Sequence, residues 1–309
     1  MPFATITNPA VGRRDYSLVG LDTKLAEERG LASAEWYACP IPRKELKELM
    51  KRSDGPALRD TAIWFAALIL SGSLGYYFWG TWWAVPCFLV YGVLYGSSSD
   101  SRWHECGHGT AFKTRWLNDV VYHIACFMIL REPTVWRWSH TRHHTDTIIV
   151  GRDAEIVFQR PPSVPRTVFM FTHIEGGSKM FWRLVKHAFG RVDADAKEFV
   201  PENEHRKIVW ESRVMVAVVA GAAVRSIVAW TPLPILFIGG PSIYGAWLMV
   251  FFGITQHAGL RENVLDLDGR LVPVNELLVP VGLLEAAEHE QPLRGPADPV
   301  EVERLNALG

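Results

Sequence analysis

The sequence predicts an all-α integral membrane protein with four transmembrane helices in two hairpins and a cytosolic, histidine-rich helical cap. Two apolar regions and the stretch between them carry that reading. Residues 61–96 are 36 consecutive positions without a charge, and residues 214–254 are 41 positions whose only charge is Arg225. One helix of 36 residues would run about 54 Å, whereas a bilayer core is about 30 Å thick, so each region accommodates two crossings. Between them lies a polar stretch rich in His and Trp. With 49% hydrophobic and 21% charged residues, the composition excludes extended disorder. A net charge of -1 leaves no basic field for a nucleic-acid backbone, so nucleic acid is not an expected partner.

Taken in order, residues 1–60 read as a cytosolic N-terminal segment. Its first thirty residues hold no apolar run of the kind a cleavable signal peptide needs. After Pro42, Leu46, Leu49 and Met50 recur at helical spacing beneath a basic face, which predicts a helix lying on the membrane surface. The first hairpin should turn at Gly80, where Tyr76, Tyr77, Trp79, Trp82 and Trp83 gather like an interfacial belt. Arg43, Lys44, Lys47, Lys51, Arg52 and Arg59 precede the hairpin and its turn carries no Lys or Arg, which puts the N-terminus in the cytoplasm. Two hairpins then return both termini and every histidine to that side.

Residues 120–130 are mostly apolar but, at 11 positions, too short to span, and predict a buried or interfacial helix. The second hairpin should turn around Pro232, Pro234, Gly239, Gly240 and Pro241. Arg225, five residues from Trp230, is expected to snorkel to the interface. Residues 267–309 look compositionally foreign: 39 of the 43 are Leu, Val, Pro, Ala, Gly, Glu, Asp or Arg, and none is aromatic. The 4 cysteines form no CxxC pair and read as reduced packing thiols.

Five of the 11 histidines fall in two groups, His104 and His108 in HECGH and His140, His143 and His144 in HTRHH. Spacings of i,i+4 and i,i+3,i+4 set imidazoles on one helical face, about 5–6 Å apart at Cβ, where they can converge on a metal. His257, in TQHAGL, directly follows the last apolar run. Six imidazoles exceed the four ligands of one tetrahedral zinc, so two metal ions are implied, although imidazole suits Fe, Zn, Cu and Ni alike. Asp146, Asp153 and Glu155 follow the second group closely and could orient ligating rings by accepting their N–H. His123, His173, His187, His205 and His289 stand alone and are not expected ligands.

HECGH, HTRHH and QHAGL, set around two apolar hairpins, resemble the histidine boxes of the integral-membrane fatty acid desaturases and hydroxylases, from roughly Asp60 to Asp266. The resemblance implies a membrane domain over residues 61–266 and a non-haem di-iron centre at its cytosolic face, held by His104, His108, His140, His143, His144 and His257. It also implies O2 as co-substrate, a lipid acyl chain as substrate, and two electrons from an external donor such as a ferredoxin or another reductase system. The product is a double bond in a desaturase and a hydroxyl in a hydroxylase.

The family pattern has a third box of HxxHH type after the QHAGL position, and this sequence has only His289 there. The departure falls in the unusual tail. It predicts that the 309-residue chain as written is inactive, a desaturase-like protein whose reading frame changes or ends just after Asp266. A membrane zinc protease is the alternative from another class, since His104, Glu105 and His108 fit HExxH, but it leaves HTRHH without a role.

Overall fold

A computed structural model describes residues 14–33, 41–156, 163–257 and 262–263. The tail 267–309 lies outside the described residues. All regular elements among those described are helical, in line with the all-α expectation. The chain divides into two units: one joins Met1–Pro40, His143–Ile156 and Gly259–Gly309, the other Ile41–Arg142 and Val157–Ala258.

In the smaller unit, helix α1 (Leu21–Glu28) runs into a short turn at Leu31–Ser33. Side chains tie it to the loop after the second histidine group. The Thr23 hydroxyl donates to the Gly151 carbonyl at 2.7 Å, and Arg152 bridges Glu27 at 3.0 Å and Asp146 at 2.8 Å. Asn263 clasps the same loop, accepting from Val150 N–H at 2.8 Å and donating its own N–H to Ile148 at 3.1 Å.

The larger unit begins with α2 (Arg43–Leu49), where the expected surface helix stands and Leu46, Leu49 and Met50 remain exposed. Helix α3 (Asp54–Tyr77) ends ahead of Gly80, whose φ of 88° makes the turn that the sequence predicts there. The chain returns through α4 (Ala84–Gly92), a π-helical turn (Val93–Ser97) and α5 (Ser98–Gly107). Trp64 of α3 donates its indole N–H to the Leu94 carbonyl at 2.8 Å, and Phe88 packs edge-on against Trp79, Tyr91 and Phe237.

Helix α6 (Arg115–Met128) covers the short apolar stretch as expected: Val121, Tyr122, Ala125 and Cys126 are buried, and Trp116, Val120 and Ile124 face outward. It packs on α5 around a core that includes Trp103, Phe112 and Leu184. Helix α7 (Pro133–Thr145) follows, then α8 (Val164–Met170), α9 (Ile174–Ala188), α10 (Ala194–Phe199) and α11 (His205–Val228), which packs along α9. Among the described cysteines, Cys87, Cys106 and Cys126 are free thiols.

The second apolar region departs from two uninterrupted crossings. Its first leg is the single helix α11, but the return is broken into α12 (Leu233–Phe237), α13 (Pro241–Tyr244) and α14 (Trp247–His257). Pro234 and Pro241 lack the N–H that would continue a helix, and Gly239 and Gly240 open the backbone between them. The break seats α13 against the first hairpin: a Cβ on Gly245 would run into the Gly92 carbonyl and one on Gly92 into the Tyr244 ring, so this close approach needs glycine at both positions. Among the described residues, one stretch, Arg43–Tyr77, holds a helix long and apolar enough to cross a membrane.

Candidate metal centre

Four of the predicted ligands belong to the larger unit, His104, His108, His140 and His257, and two helices deliver the first three. His104 sits in the last turn of α5, and His108 directly follows the helix with its N–H bonded to the His104 carbonyl at 3.2 Å. Helical spacing therefore brings the two rings together edge to face, with centroids 4.9 Å apart. His140 comes from α7, and its ring centroid lies 4.6 Å from that of His104 and 4.8 Å from that of His108. Each ring can offer a nitrogen, and these atoms lie within 4.8 Å of one another.

The Nε2 atoms of His108 and His140 approach to 3.0 Å. Two nitrogens each about 2.1 Å from one ion, at a right angle, would be about 3.0 Å apart, so this pair has the spacing of two ligands of one metal. Neutral imidazoles are the right donors for a borderline divalent cation. His140 is buried, whereas His108 is exposed, which leaves one side of the cluster open. His144 follows His140 by one turn of α7 and so shares its helical face.

Behind His140 stands Trp103, whose ring meets it edge-on at 5.0 Å. The Trp103 indole N–H donates to Asp100 at 2.7 Å, and Arg131 pairs with the same carboxylate at 3.2 Å while lying 3.9 Å over the Trp136 ring. That stack fixes the wall against which His140 rests.

In the smaller unit, His143 turns its Nδ1 to Asp153, 3.0 Å from both carboxylate oxygens. Asp153 is buried and also accepts from the backbone N–H of Ile148 and of Glu155, each at 2.8 Å. Burial alone would lower the His143 pKa, but the Asp153 bond and charge outweigh it and hold it above the ordinary value. Asp146 is engaged with Arg152, and Glu155 contributes its backbone to Asp153. His257 closes α14, and its side chain lies outside the described residues.

Of the solitary histidines, His289 lies outside the described residues, and two of the others bond nearby backbone carbonyls. His123 bonds the Asp119 carbonyl at 2.7 Å and His205 the Val200 carbonyl at 3.0 Å. Burial, with Arg131 nearby, presses the His173 pKa down to about 4. His187 is different: it is wholly buried, and its Nδ1–H donates to Glu132 at 2.6 Å. Sequence reading missed this pair. The only hint is an acid placed directly before Pro133, and nothing in the spacing joins it to a histidine 55 positions away.

The family model described as fatty acid desaturase matches residues 80–277, a stretch that holds both histidine groups and runs past Asp266. An sn-1 oleoyl-lipid 12-desaturase of Synechocystis is 26% identical over 163 residues, 47% of this chain and 46% of that protein. An endoplasmic-reticulum omega-6 fatty acid desaturase of Brassica juncea is 27% identical over 125 residues, 37% of this chain and 31% of the relative. An sn-1 acyl-lipid omega-3 desaturase (ferredoxin) of Nostoc is 40% identical over 50 residues, 16% of this chain and 14% of the relative. The matches therefore span less than half the length of these relatives. Because the family model covers more than half of the sequence and takes in the helices that bring His104, His108 and His140 together, the chain belongs to the fatty acid desaturase family.

Proposed function

We propose that the chain is built as a membrane acyl-lipid desaturase, with His104, His108, His140, His143, His144 and His257 as ligands of two iron ions. The observation that carries this reading is the mutual approach of the His104, His108 and His140 rings on α5 and α7, inside the segment that the family model matches. Bound there, the irons would supply the O2-dependent oxidation that removes hydrogen from an unactivated acyl C–H bond. The protein's own part is to hold neutral imidazoles in fixed directions. Trp103 braces His140, and Asp153 takes the Nδ1–H of His143, which leaves Nε2 as that ring's ligand atom.

A lipid acyl chain is the proposed substrate, supported by the names of the relatives, and an external donor of the ferredoxin type the proposed source of electrons. The proposed topology has α3, the run from α4 to Gly96, α11 and the broken leg α12–α14 in the bilayer, with the histidines and both termini at the cytoplasmic face. Outward-facing Ile63, Ile69 and Leu70 on α3 and Val224, Ile227 and Val228 on α11 support it. So does the 22% burial of the most apolar stretch of α3, far below that of a soluble core helix. Residues 1–60 and 267–309 are proposed as flanking segments. The QHAGL position has no HxxHH after it, so the second iron lacks imidazoles that the family pattern supplies.

Expression in a host with a suitable reductase, followed by lipid analysis, tests the reading. The chain given an HxxHH-bearing segment after Asp266 should form new double bonds, and its His140→Ala version none. Failure of the grafted chain with both irons bound would contradict the assignment. Turnover by the unaltered chain would show that groups such as Asp266, Asp268, Glu288, His289 or Glu290 complete the centre.

A further inference from the structure

The larger unit also buries a charge away from the histidine cluster. It is Glu132, fully buried, one residue ahead of the helix that carries His140. A carboxylate without water costs several kcal/mol unless it is paired, and here three side-chain partners come from other helices. Its Oε1 accepts from His187 of α9 at 2.6 Å and from the Ser212 hydroxyl of α11 at 3.4 Å, and its Oε2 accepts from Arg183 of α9 at 3.2 Å. Asp193 holds the other side of His187, with Oδ2 3.2 Å from Nε2.

Two further bonds grip the same helix end. Glu211 of α11 accepts from both the backbone N–H and the hydroxyl of Thr134, at 3.0 and 2.7 Å, and so caps the first turn of α7. The Tyr122 hydroxyl of α6 donates to the Pro133 carbonyl at 2.7 Å. Three helices thus fix where α7 starts and how it is turned about its axis.

Rotation is the quantity that matters to a ligand. A ring nitrogen about 7 Å from the helix axis moves about 1.2 Å when the helix turns by about 10°, several times the roughly 0.2 Å latitude of a metal–ligand bond. We infer that Glu132, with its partners Arg183 and His187, and the Thr134–Glu211 cap are positioning groups that set the rotation of α7 and thereby aim His140 at the metal. This rests on the proposed histidine centre.

Ferrous iron, titrated anaerobically into the purified full chain against a competing chelator, provides the test, with melting temperature recorded in parallel. Glu132→Gln keeps the shape and removes the charge, Thr134→Val keeps the shape and removes the cap hydroxyl, and Thr134→Ser restores it. Tyr91→Phe, which deletes a half-buried hydrogen bond to the Phe237 carbonyl away from α7, is the control for stability alone. Glu132→Gln and Thr134→Val should weaken iron binding by about tenfold, with Thr134→Ser and Tyr91→Phe at the wild-type value. Wild-type affinity in Glu132→Gln and Thr134→Val, whatever their melting temperatures, would overturn the inference while leaving the centre intact. If Glu132→Gln does not fold, the Thr134 pair decides alone. An unaltered chain that binds no iron would instead remove the centre itself.

Discussion

His140 and His187 are both buried side chains of the same unit, yet their surroundings are opposite in kind. Around His140 the neighbours are imidazoles, with His108 Nε2 3.0 Å from its own. Around His187 they are carboxylates, Glu132 on one nitrogen and Asp193 on the other. Imidazoles that point lone pairs at one another favour a shared cation, whereas carboxylates on both sides of an imidazole favour its own protonated form. Burial and residue type do not separate a ligand from an anchor; the sign of the neighbouring charge does.

Substitutions should break the contrast most visibly. His140→Ala should remove bound metal almost entirely, at least about a hundredfold in affinity, because it deletes one of two imidazoles whose nitrogens lie 3.0 Å apart. His187→Ala should weaken metal binding only by about the tenfold expected of a positioning group, but cost about 3–5 kcal/mol of stability, since Glu132 loses a hydrogen-bonded partner where no water reaches it. Metal analysis and denaturant unfolding on the two variants check this. Equal metal loss with equal destabilisation would mean that the two histidines do the same job.

The pH dependence of stability sharpens the comparison. Burial lowers the His187 pKa, but Asp193 and Glu132 more than offset it and raise it above 6.5. Its contribution is therefore complete below pH about 6.5 and is lost as pH rises through the raised value. Burial pushes the Glu132 and Asp193 carboxyls up, but Arg183 and His187 act on Glu132, and His187 on Asp193, to leave both below their ordinary values of 4.5 and 3.8. Their contribution is present above those values and fades as pH falls through the lowered ones. Melting temperature should hold level between about pH 4.5 and 6.5 and decline on the alkaline side, and His187→Gln should flatten that alkaline limb. An unchanged limb in the variant would rule out the network as its source.

Smaller effects are expected further out. Asp153→Asn removes the charged acceptor of the His143 Nδ1–H and should weaken metal binding by about tenfold, read by chelator competition. Ala at His123 or His205, whose rings bond backbone carbonyls, should leave metal content unchanged. Loss at these positions would point to folding rather than ligation.

Much of this arrangement is legible from residue spacing. Spacing of i,i+4 places His104 and His108 on one face, and Gly80 among aromatics marks the turn between α3 and α4. The prolines and glycines at 232–241 mark an interruption too, but they also split the return leg into three short helices, because each breaks the hydrogen-bond ladder separately. Contacts made only by tertiary packing are not legible: Glu132 with His187 across 55 positions, or Asp54 accepting from Thr114 across 60. A lone histidine and a lone acid carry no period that would pair them.

The central claim is that histidines of α5 and α7 hold a metal, and metal-edge X-ray absorption on the iron-loaded full chain measures it directly. The account predicts a first shell dominated by imidazole nitrogens near 2.1 Å, which loses intensity in His140→Ala and keeps it in His205→Ala. A shell without imidazole, or one indifferent to His140, would contradict it.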